Sequence, residues 1–176
     1  SASERTCSRQ SEGKSSTGDS SRELAVSYMA SAYARLVDVA RSDTAASTTL
    51  AGALFAGAGA MHFVRPDFFE SIVPDWFPEK RMANLASGAA EVVLGLALFP
   101  RSTRRPAAYG LVALTAAVFP ANIDMAVNDV EIKPVAGKMT RSVGTASGAS
   151  RLVNWARLPM QLPIAWAMWR IARRRD

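Results

Sequence analysis

Cysteine and histidine each occur only once in the 176-residue chain, as Cys7 and His62. A single cysteine cannot form a disulfide framework or a CxxC redox pair, and it cannot supply the thiolates of an iron–sulfur cluster. A single histidine excludes bis-histidine haem ligation and is a poor basis for a histidine–carboxylate metal site. We therefore expect no metal, no cofactor and no catalytic residue in this chain, with a bound lipid or quinone as the alternative small molecule.

Charged residues are also scarce and unevenly placed. They make up 20% of the chain, against 49% hydrophobic residues, and the net charge is +6. The basic residues cluster beside apolar runs, which indicates membrane topology and anionic lipid rather than nucleic acid. A soluble helical bundle is the alternative, but the runs lack the wide charged faces of soluble surface helices. The four apolar runs are residues 44–64, 82–99, 106–127 and 152–171.

The first 43 residues differ from the rest of the chain. Residues 1–19 are rich in Ser, Thr, Gly and mixed charge, so they predict a polar tail without a core. Ser20 and Glu23 have the spacing of a capping box, and the amphipathic pattern that follows predicts a peripheral helix over residues 20–43. That helix is too charged to cross a bilayer.

These patterns predict an all-α fold: a four-helix transmembrane bundle over residues 44–176, with an N-terminal amphipathic surface helix. The densest arginine clusters lie at residues 101–105 and 170–175. Four spans place both clusters and both termini on one side, and the positive-inside rule makes it the matrix or cytoplasmic side. We favour the mitochondrial inner membrane, because an extension added to a small bundle without a redox centre suits a subunit of a respiratory complex. The Ser- and Arg-rich start fits removal of a transit peptide, and trimming would explain it equally well. A bacterial plasma membrane is the alternative.

Polar residues recur inside the apolar runs. In the second run, Asn84, Ser87 and Glu91 share one helical face with Gly88 and Gly95. A carboxylate in that position must face protein or a wet cavity. With four spans, the other polar residues fall in the same half of the bundle. The predicted cluster consists of His62, Asn84, Ser87, Glu91, Asn122, Asp124, Arg157 and Gln161.

We expect Glu91 and Arg157 to form an ion pair, because pairing is the economical arrangement for two charges inside a membrane. Two interpretations of the cluster stay open. In the first, the polar side chains contact one another and fix the register of the helices. In the second, they line a pocket for a quinone headgroup or a proton path.

The segment between the first two runs is rich in aromatic residues and proline. Such a composition is typical of a re-entrant loop or a short surface helix at headgroup depth. Its candidate interfacial residues are Phe68, Phe69, Trp76 and Phe77.

Several of these residues form a pattern that resembles the DoxX-like family of small four-helix membrane proteins. The resemblance covers about residues 48–172. It implies a four-span bundle, and association of some relatives with membrane redox complexes. The extension over residues 1–43 and the long loop after Asp129 depart from it. The pattern is Gly59-x-x-His62-Phe63-x-x-Pro66, Ile72-Val73-Pro74, Ser87-Gly88-x-x-Glu91-x-x-x-Gly95, Thr103-Arg104-Arg105, Phe119-Pro120-Ala121-Asn122-x-x-Met125 and Arg157-Leu158-Pro159-x-Gln161.

Two functions compete, neither of them clearly enzymatic in this chain alone. The first is an accessory subunit of a larger, respiratory membrane complex, which contacts other subunits through residues 20–43 and its helix faces. The second is a quinone-linked oxidoreductase component, with His62, Glu91 and Arg157 around the headgroup. A solute or proton carrier is less favoured, since the inverted repeats of transporters are missing.

We predict that a peptide of residues 18–43 binds anionic liposomes weakly and loses little binding in high salt. Its apolar stripe is modest, and Glu23, Asp38 and Asp43 offset its arginines. Such a helix suits a protein groove better than bare lipid. A liposome flotation assay at low and high salt measures this, and tight, salt-sensitive binding would contradict the partner interpretation.

Overall fold

The computed structural model describes residues 45–174, together with Ser31 and Ala34. The predicted polar tail and almost all of the predicted amphipathic helix therefore lie outside the described residues. Within 45–174 the chain forms five helices and one small antiparallel sheet. These are α1 (Ala45–Val64), α2 (Pro66–Ile72), α3 (Lys80–Ala97), α4 (Arg101–Val127), β1 (Glu131–Val135), β2 (Lys138–Ser142) and α5 (Gly148–Arg173).

The four long helices coincide with the four apolar runs, so the mainly helical class is confirmed. By length and hydropathy, two of the described helices, α1 and α4, could cross a membrane. α1 packs against α3, α4 packs against α5, and the two pairs meet where α3 contacts α4.

The α1–α3 crossing depends on glycine. A Cβ atom on Gly59 would lie 2.6 Å from the carbonyl oxygen of Gly88 and 2.7 Å from the backbone nitrogen of Val92. At the next crossing point, a Cβ atom on Gly95 would lie 2.9 Å from the carbonyl oxygen of Gly52. Real side chains do not approach backbone so closely, so the two helices reach this separation only because both carry glycine there. Gly88 and Gly95, predicted to share a face of α3 with Asn84 and Ser87, therefore both lie against α1.

The tight core lies at the end of the bundle that carries the arginines. It is formed by the last turns of α3 and α5 and the first turns of α4, and it is rich in alanine, which lets these helices approach closely. Its most buried members are Leu98, Ala108, Leu111 and Ala172.

The arginines at this end terminate helices. Arg104 donates from Nε to the carbonyl oxygen of Leu98 (3.1 Å) and from Nη2 to that of Phe99 (3.2 Å), at the end of α3. Arg105 donates from Nε to the carbonyl oxygen of Ala172, in the last turn of α5 (3.1 Å). These carbonyls have no partner within their own helices, and a cation there also opposes the helix dipole.

The start of α4 differs from the sequence prediction. The apolar run that predicts this helix starts at residue 106, but the helix begins at Arg101, and Pro106 lies inside it. The hydroxyl of Thr103 donates to the carbonyl oxygen of Ala97 (2.7 Å). Because Thr103 and Arg104 satisfy the end of α3, the first turn of α4 is fixed close to it.

Residues 129–151, predicted as a loop, contain a β-hairpin, so the prediction of a wholly helical chain is wrong in this region. β1 and β2 are joined by Ala136 and Gly137, whose φ angles of 49° and 81° are those of a two-residue hairpin turn. The hairpin packs on α2, where the backbone N–H of Met139 donates to Asp67 Oδ2 (3.2 Å).

The close contact between α1 and α3 can be tested with two glycine-to-alanine substitutions in α1, one at the contact and one away from it. Gly59→Ala forces α1 and α3 apart and should cost about 1–3 kcal/mol of unfolding free energy. Gly57→Ala should be neutral or stabilise by up to about 1 kcal/mol, because its Cβ meets nothing within 4 Å. Equilibrium unfolding of the purified variants measures the difference, and equal stabilities would contradict the close crossing.

Candidate functional site

A cavity of about 280 Å³ lies at the end of the bundle opposite the arginine core. α3 and α4 form its sides, α1 contributes His62, and α2 with the following loop covers it. Most of the lining is apolar; of the polar side chains, all but Asn122 of α4 lie together on the α1–α3 side. The lining residues are His62, Phe69, Ile72, Val73, Pro74, Trp76, Phe77, Ala83, Asn84, Ser87, Glu91, Ala117, Val118, Pro120, Ala121 and Asn122.

His62 is held by Asn84 in a reciprocal contact. The side-chain amide of Asn84 donates from Nδ2 to the carbonyl oxygen of His62 (3.3 Å), which turns Oδ1 towards the imidazole. His62 Nδ1 then lies 2.8 Å from Asn84 Oδ1 and 3.2 Å from the Asn84 carbonyl oxygen. Because both neighbours are acceptors, Nδ1 carries the hydrogen, and Nε2 is the nitrogen available to another group.

Ser87 and Gly88 complete the seat of the imidazole. The Ser87 hydroxyl donates to the carbonyl oxygen of Asn84 (3.0 Å) and lies 3.5 Å from His62 Nδ1. A Cβ atom on Gly88 would lie 2.5 Å from the Cβ atom of His62. The glycine that allows the helix crossing therefore also makes room for the histidine.

Unlike Asn84 and Ser87, Glu91 takes no part in the hydrogen bonds that hold the His62 side chain against α3. Its Oε2 lies 3.8 Å from His62 Nε2, within ion-pair range but too long for a hydrogen bond. The two side chains are 17% and 11% exposed, and both line the cavity. Among the described residues, His62 is the only basic side chain within ion-pair distance of Glu91.

Aromatic side chains from α2 and the following loop also line the cavity. Phe69 of α2 stacks on the His62 ring with centroids 3.8 Å apart and an interplanar angle of 23°. Trp76 and Phe77, in the loop after α2, also line the cavity, and Trp76 is 65% exposed. Three of the four predicted interfacial residues thus belong to the cavity.

Arg141 of β2 ties this cover to the bundle. Its side chain is 7% exposed, forms an ion pair with Asp124 of α4, and lies 3.3 Å from Asp75 Oδ2 in the loop. The Lys80 ammonium, hydrogen-bonded to Asp75, holds the pKa of that carboxyl below its usual range, and Arg141 acts in the same direction. The sequence analysis did not identify Arg141, because the strand that positions it was not predicted.

The predicted Glu91–Arg157 pair is wrong. Arg157 lies in a second cavity, of about 270 Å³, between α5, the end of α4 and the hairpin, and Phe68 lines that cavity too. Its Nη1 is 3.3 Å from the sulfur of Met125. Glu91 faces α1 instead, so the two charges lie on different sides of the bundle.

The other members of the predicted cluster divide in the same way. Asn122 lines the cavity with His62 and Glu91. Asp124 pairs with Arg141, and Gln161 donates from Nε2 to the carbonyl oxygen of Thr115 (3.4 Å). Five of the eight predicted residues therefore share one cavity, and Asp124, Arg157 and Gln161 do not.

The arrangement presents one face rich in hydrogen-bonding groups to an apolar space. His62 Nε2 and the Glu91 carboxyl can each take part in a hydrogen bond, and the distance between them leaves both free to contact a third group. Such a site suits a small, largely apolar molecule with one polar end. Among the residues that the structure describes, no group of His, Cys, Asp and Glu could hold a metal ion.

Comparison with known proteins assigns a family. Residues 50–172 match the model of a family described as a domain of unknown function, DUF8561. The match covers more than half of the chain, so the protein belongs to this family. The resemblance to the DoxX-like family is therefore wrong, since DUF8561 is the family found. No curated protein and no solved structure shows a significant match.

The seat of His62 gives a stability prediction. Asn84→Ala leaves the buried Nδ1–H of His62 without its side-chain acceptor and should cost about 1–3 kcal/mol. Asn128→Ala removes an exposed hydrogen bond to Asp124 and should change stability by less than about 0.5 kcal/mol. Equilibrium unfolding of the two purified variants compares them, and equal losses would show that the histidine does not depend on Asn84.

Proposed function

We propose that the protein is a multi-pass membrane protein whose His62 cavity binds the headgroup of a quinone. It would serve as the quinone-binding component of a membrane oxidoreductase and receive its electrons from a partner protein. The observation that carries the proposal is the Glu91 carboxyl, which lines an apolar cavity 3.8 Å from His62 Nε2 with no hydrogen bond to it.

The outer surface supports placement in a membrane. Each long helix exposes large apolar side chains that a water-soluble protein would have to cover. α3 carries no charge after Arg81 except Glu91, and α5 carries none between Arg157 and Arg170. At about 1.5 Å per residue, each long helix approaches the thickness of a bilayer core. The exposed apolar residues include Leu50, Leu54, Met82, Val93, Leu96, Ile123, Val127, Leu162, Trp166 and Trp169.

The same surface supports an orientation. Arg101, Arg104 and Arg105 lie at one end of the bundle with Arg170, Arg173 and Arg174, and the cavity lies at the other. We place the arginine end on the matrix or cytoplasmic side, in a mitochondrial inner membrane or a bacterial plasma membrane. The cavity would then open near the opposite surface.

The cavity wall has the chemistry that a quinone requires. A quinone carbonyl accepts hydrogen bonds, and the corresponding hydroquinone hydroxyl donates one. His62 Nε2 and the Glu91 carboxyl can offer both kinds of partner at one point. The aromatic wall of Phe69, Trp76 and Phe77 favours a planar ring through stacking.

An accessory role remains a separate proposal. The residues expected to contact a neighbouring subunit, 20–43, lie almost entirely outside the described part of the chain. Binding of a quinone in the His62 cavity is compatible with that role, since an accessory subunit can supply part of a site.

Glu91→Leu tests the quinone site. Leucine has a similar size but neither donates nor accepts, so we expect roughly tenfold weaker binding of a short-chain ubiquinone analogue, the effect of about 1.4 kcal/mol from one lost hydrogen bond. Glu79→Leu, at the exposed start of the same helix, should bind like the wild type. Fluorescence titration of the detergent-solubilised proteins measures both affinities. Unchanged affinity in Glu91→Leu, or no binding by the wild type, would overturn the proposal.

A further inference from the structure

We propose that the cavity around Arg157 binds a long-chain monocarboxylate, such as a fatty acid. Its carboxylate would bind the guanidinium, and its alkyl chain would lie along the apolar wall. This site is separate from the His62 cavity. The proposal rests neither on quinone binding nor on the membrane placement.

The guanidinium of Arg157 has little to bind within the protein. Its one hydrogen-bond contact with a described residue joins Nη1 to the sulfur of Met125 (3.3 Å), and a thioether is a weak acceptor. Within residues 45–174, no carboxylate lies within ion-pair distance of Arg157. A guanidinium stays charged under all ordinary conditions. Most of its N–H groups are therefore available to an anion that enters the cavity.

The cavity around Arg157 is otherwise mostly apolar. It has a volume of about 280 Å³ less one part in thirty, that is about 270 Å³, and it is open to the outside. Arg157 is the only basic residue in its lining. A ligand with one anionic end and an apolar body would contact both kinds of surface. The apolar lining consists of Phe68, Met125, Val130, Ile132, Ala149 and Val153.

The acidic residues nearby already have partners. Glu131 is the only carboxylate in the lining, and its Oε2 lies 2.8 Å from Lys133 Nζ. Asp129, just before the hairpin, lies 2.9 Å from Arg151 Nε through its Oδ1. These pairs leave the charge of Arg157 as the uncompensated one in the cavity, so the site favours an anion.

Asn154 holds the walls of the cavity in place. It lies one turn before Arg157 on the same face of α5. Its side-chain Nδ2 donates to the carbonyl oxygens of Met125 (3.1 Å) and Val130 (2.7 Å), at the end of α4 and the start of the hairpin. Since Asn154 is buried, this link is protected from water. The space beside Arg157 is therefore built into the fold.

Charge and shape together select a carboxylate. A carboxylate carries one negative charge and offers two oxygens that a guanidinium binds in a fork. It also ends its chain, so it needs room on one side only. A phosphodiester carries a substituent on each side and would need space on both. Inorganic phosphate would leave the apolar wall unused.

Decanoate labelled with ¹³C at its carboxyl carbon tests the site. The labelled ligand is titrated into the purified full-length protein, and its carboxyl resonance is followed by NMR. We expect saturable binding. Decanol lacks the charge and acetate lacks the chain, so each should displace decanoate at least roughly tenfold less well than unlabelled decanoate does.

Two arginines of α5 form a matched pair. Arg157→Gln should weaken decanoate binding roughly tenfold, because the charge-assisted hydrogen bonds are lost. Arg151→Gln should bind like the wild type, since Arg151 pairs with Asp129 and does not line the cavity. Arg157→Lys keeps the charge without the fork and should give an intermediate affinity. It also serves as the test if Arg157→Gln does not fold.

Three results would overturn the proposal: equal displacement by decanol and decanoate, displacement by inorganic phosphate as effective as by decanoate, and equal weakening in Arg151→Gln and Arg157→Gln. Glu91→Leu should leave the affinity for decanoate unchanged, because Glu91 lines the other cavity. Conversely, Arg157→Gln should leave the affinity for a quinone analogue unchanged. Failure of one proposal is thus distinguishable from failure of the other.

Discussion

The close crossing of α1 and α3 determines where the functional groups lie. Gly59 and Gly88 bring the two backbones to a distance that excludes even a methyl group. At that distance the His62 side chain, one turn beyond Gly59, reaches across α3 to Asn84. A wider crossing would leave its Nδ1 without an acceptor in an apolar environment, which is costly. The polar network and the glycine contact therefore depend on each other.

The two ends of the bundle show opposite packing. At the arginine end, alanines and short connections let three helices approach closely, and the core is filled. At the other end, α2 and the loop with Trp76 separate α3 from α4, and the His62 cavity results. Arg141 stabilises this wider end, since it links the hairpin to both Asp75 and Asp124. A buried arginine between two carboxylates is stable only while both stay in place.

Much of the fold could be predicted from the sequence, because a single helix depends on residues that are close together in the chain. The apolar runs located the four long helices to within a few residues, and the spacing of Asn84, Ser87 and Glu91 placed them on one face. The choice of neighbouring helices could not be predicted. Height along a helix put Glu91 and Arg157 at similar depths, but α3 faces α1 whereas α5 packs on α4. The hairpin was missed because its strands alternate weakly and depend on the turn at Ala136 and Gly137. The family assignment failed because small and polar residues at helical spacing are common to many bundles.

The arginines in the first turns of α4 have two roles. Their guanidinium groups hydrogen-bond to the carbonyl oxygens at the ends of α3 and α5. In the proposed membrane placement, their positive charge would also orient the helices during insertion. Under that proposal, a substitution that weakened the orienting charge would also fray a helix end. The chain could then not change gradually towards the inverted orientation without first losing folded protein.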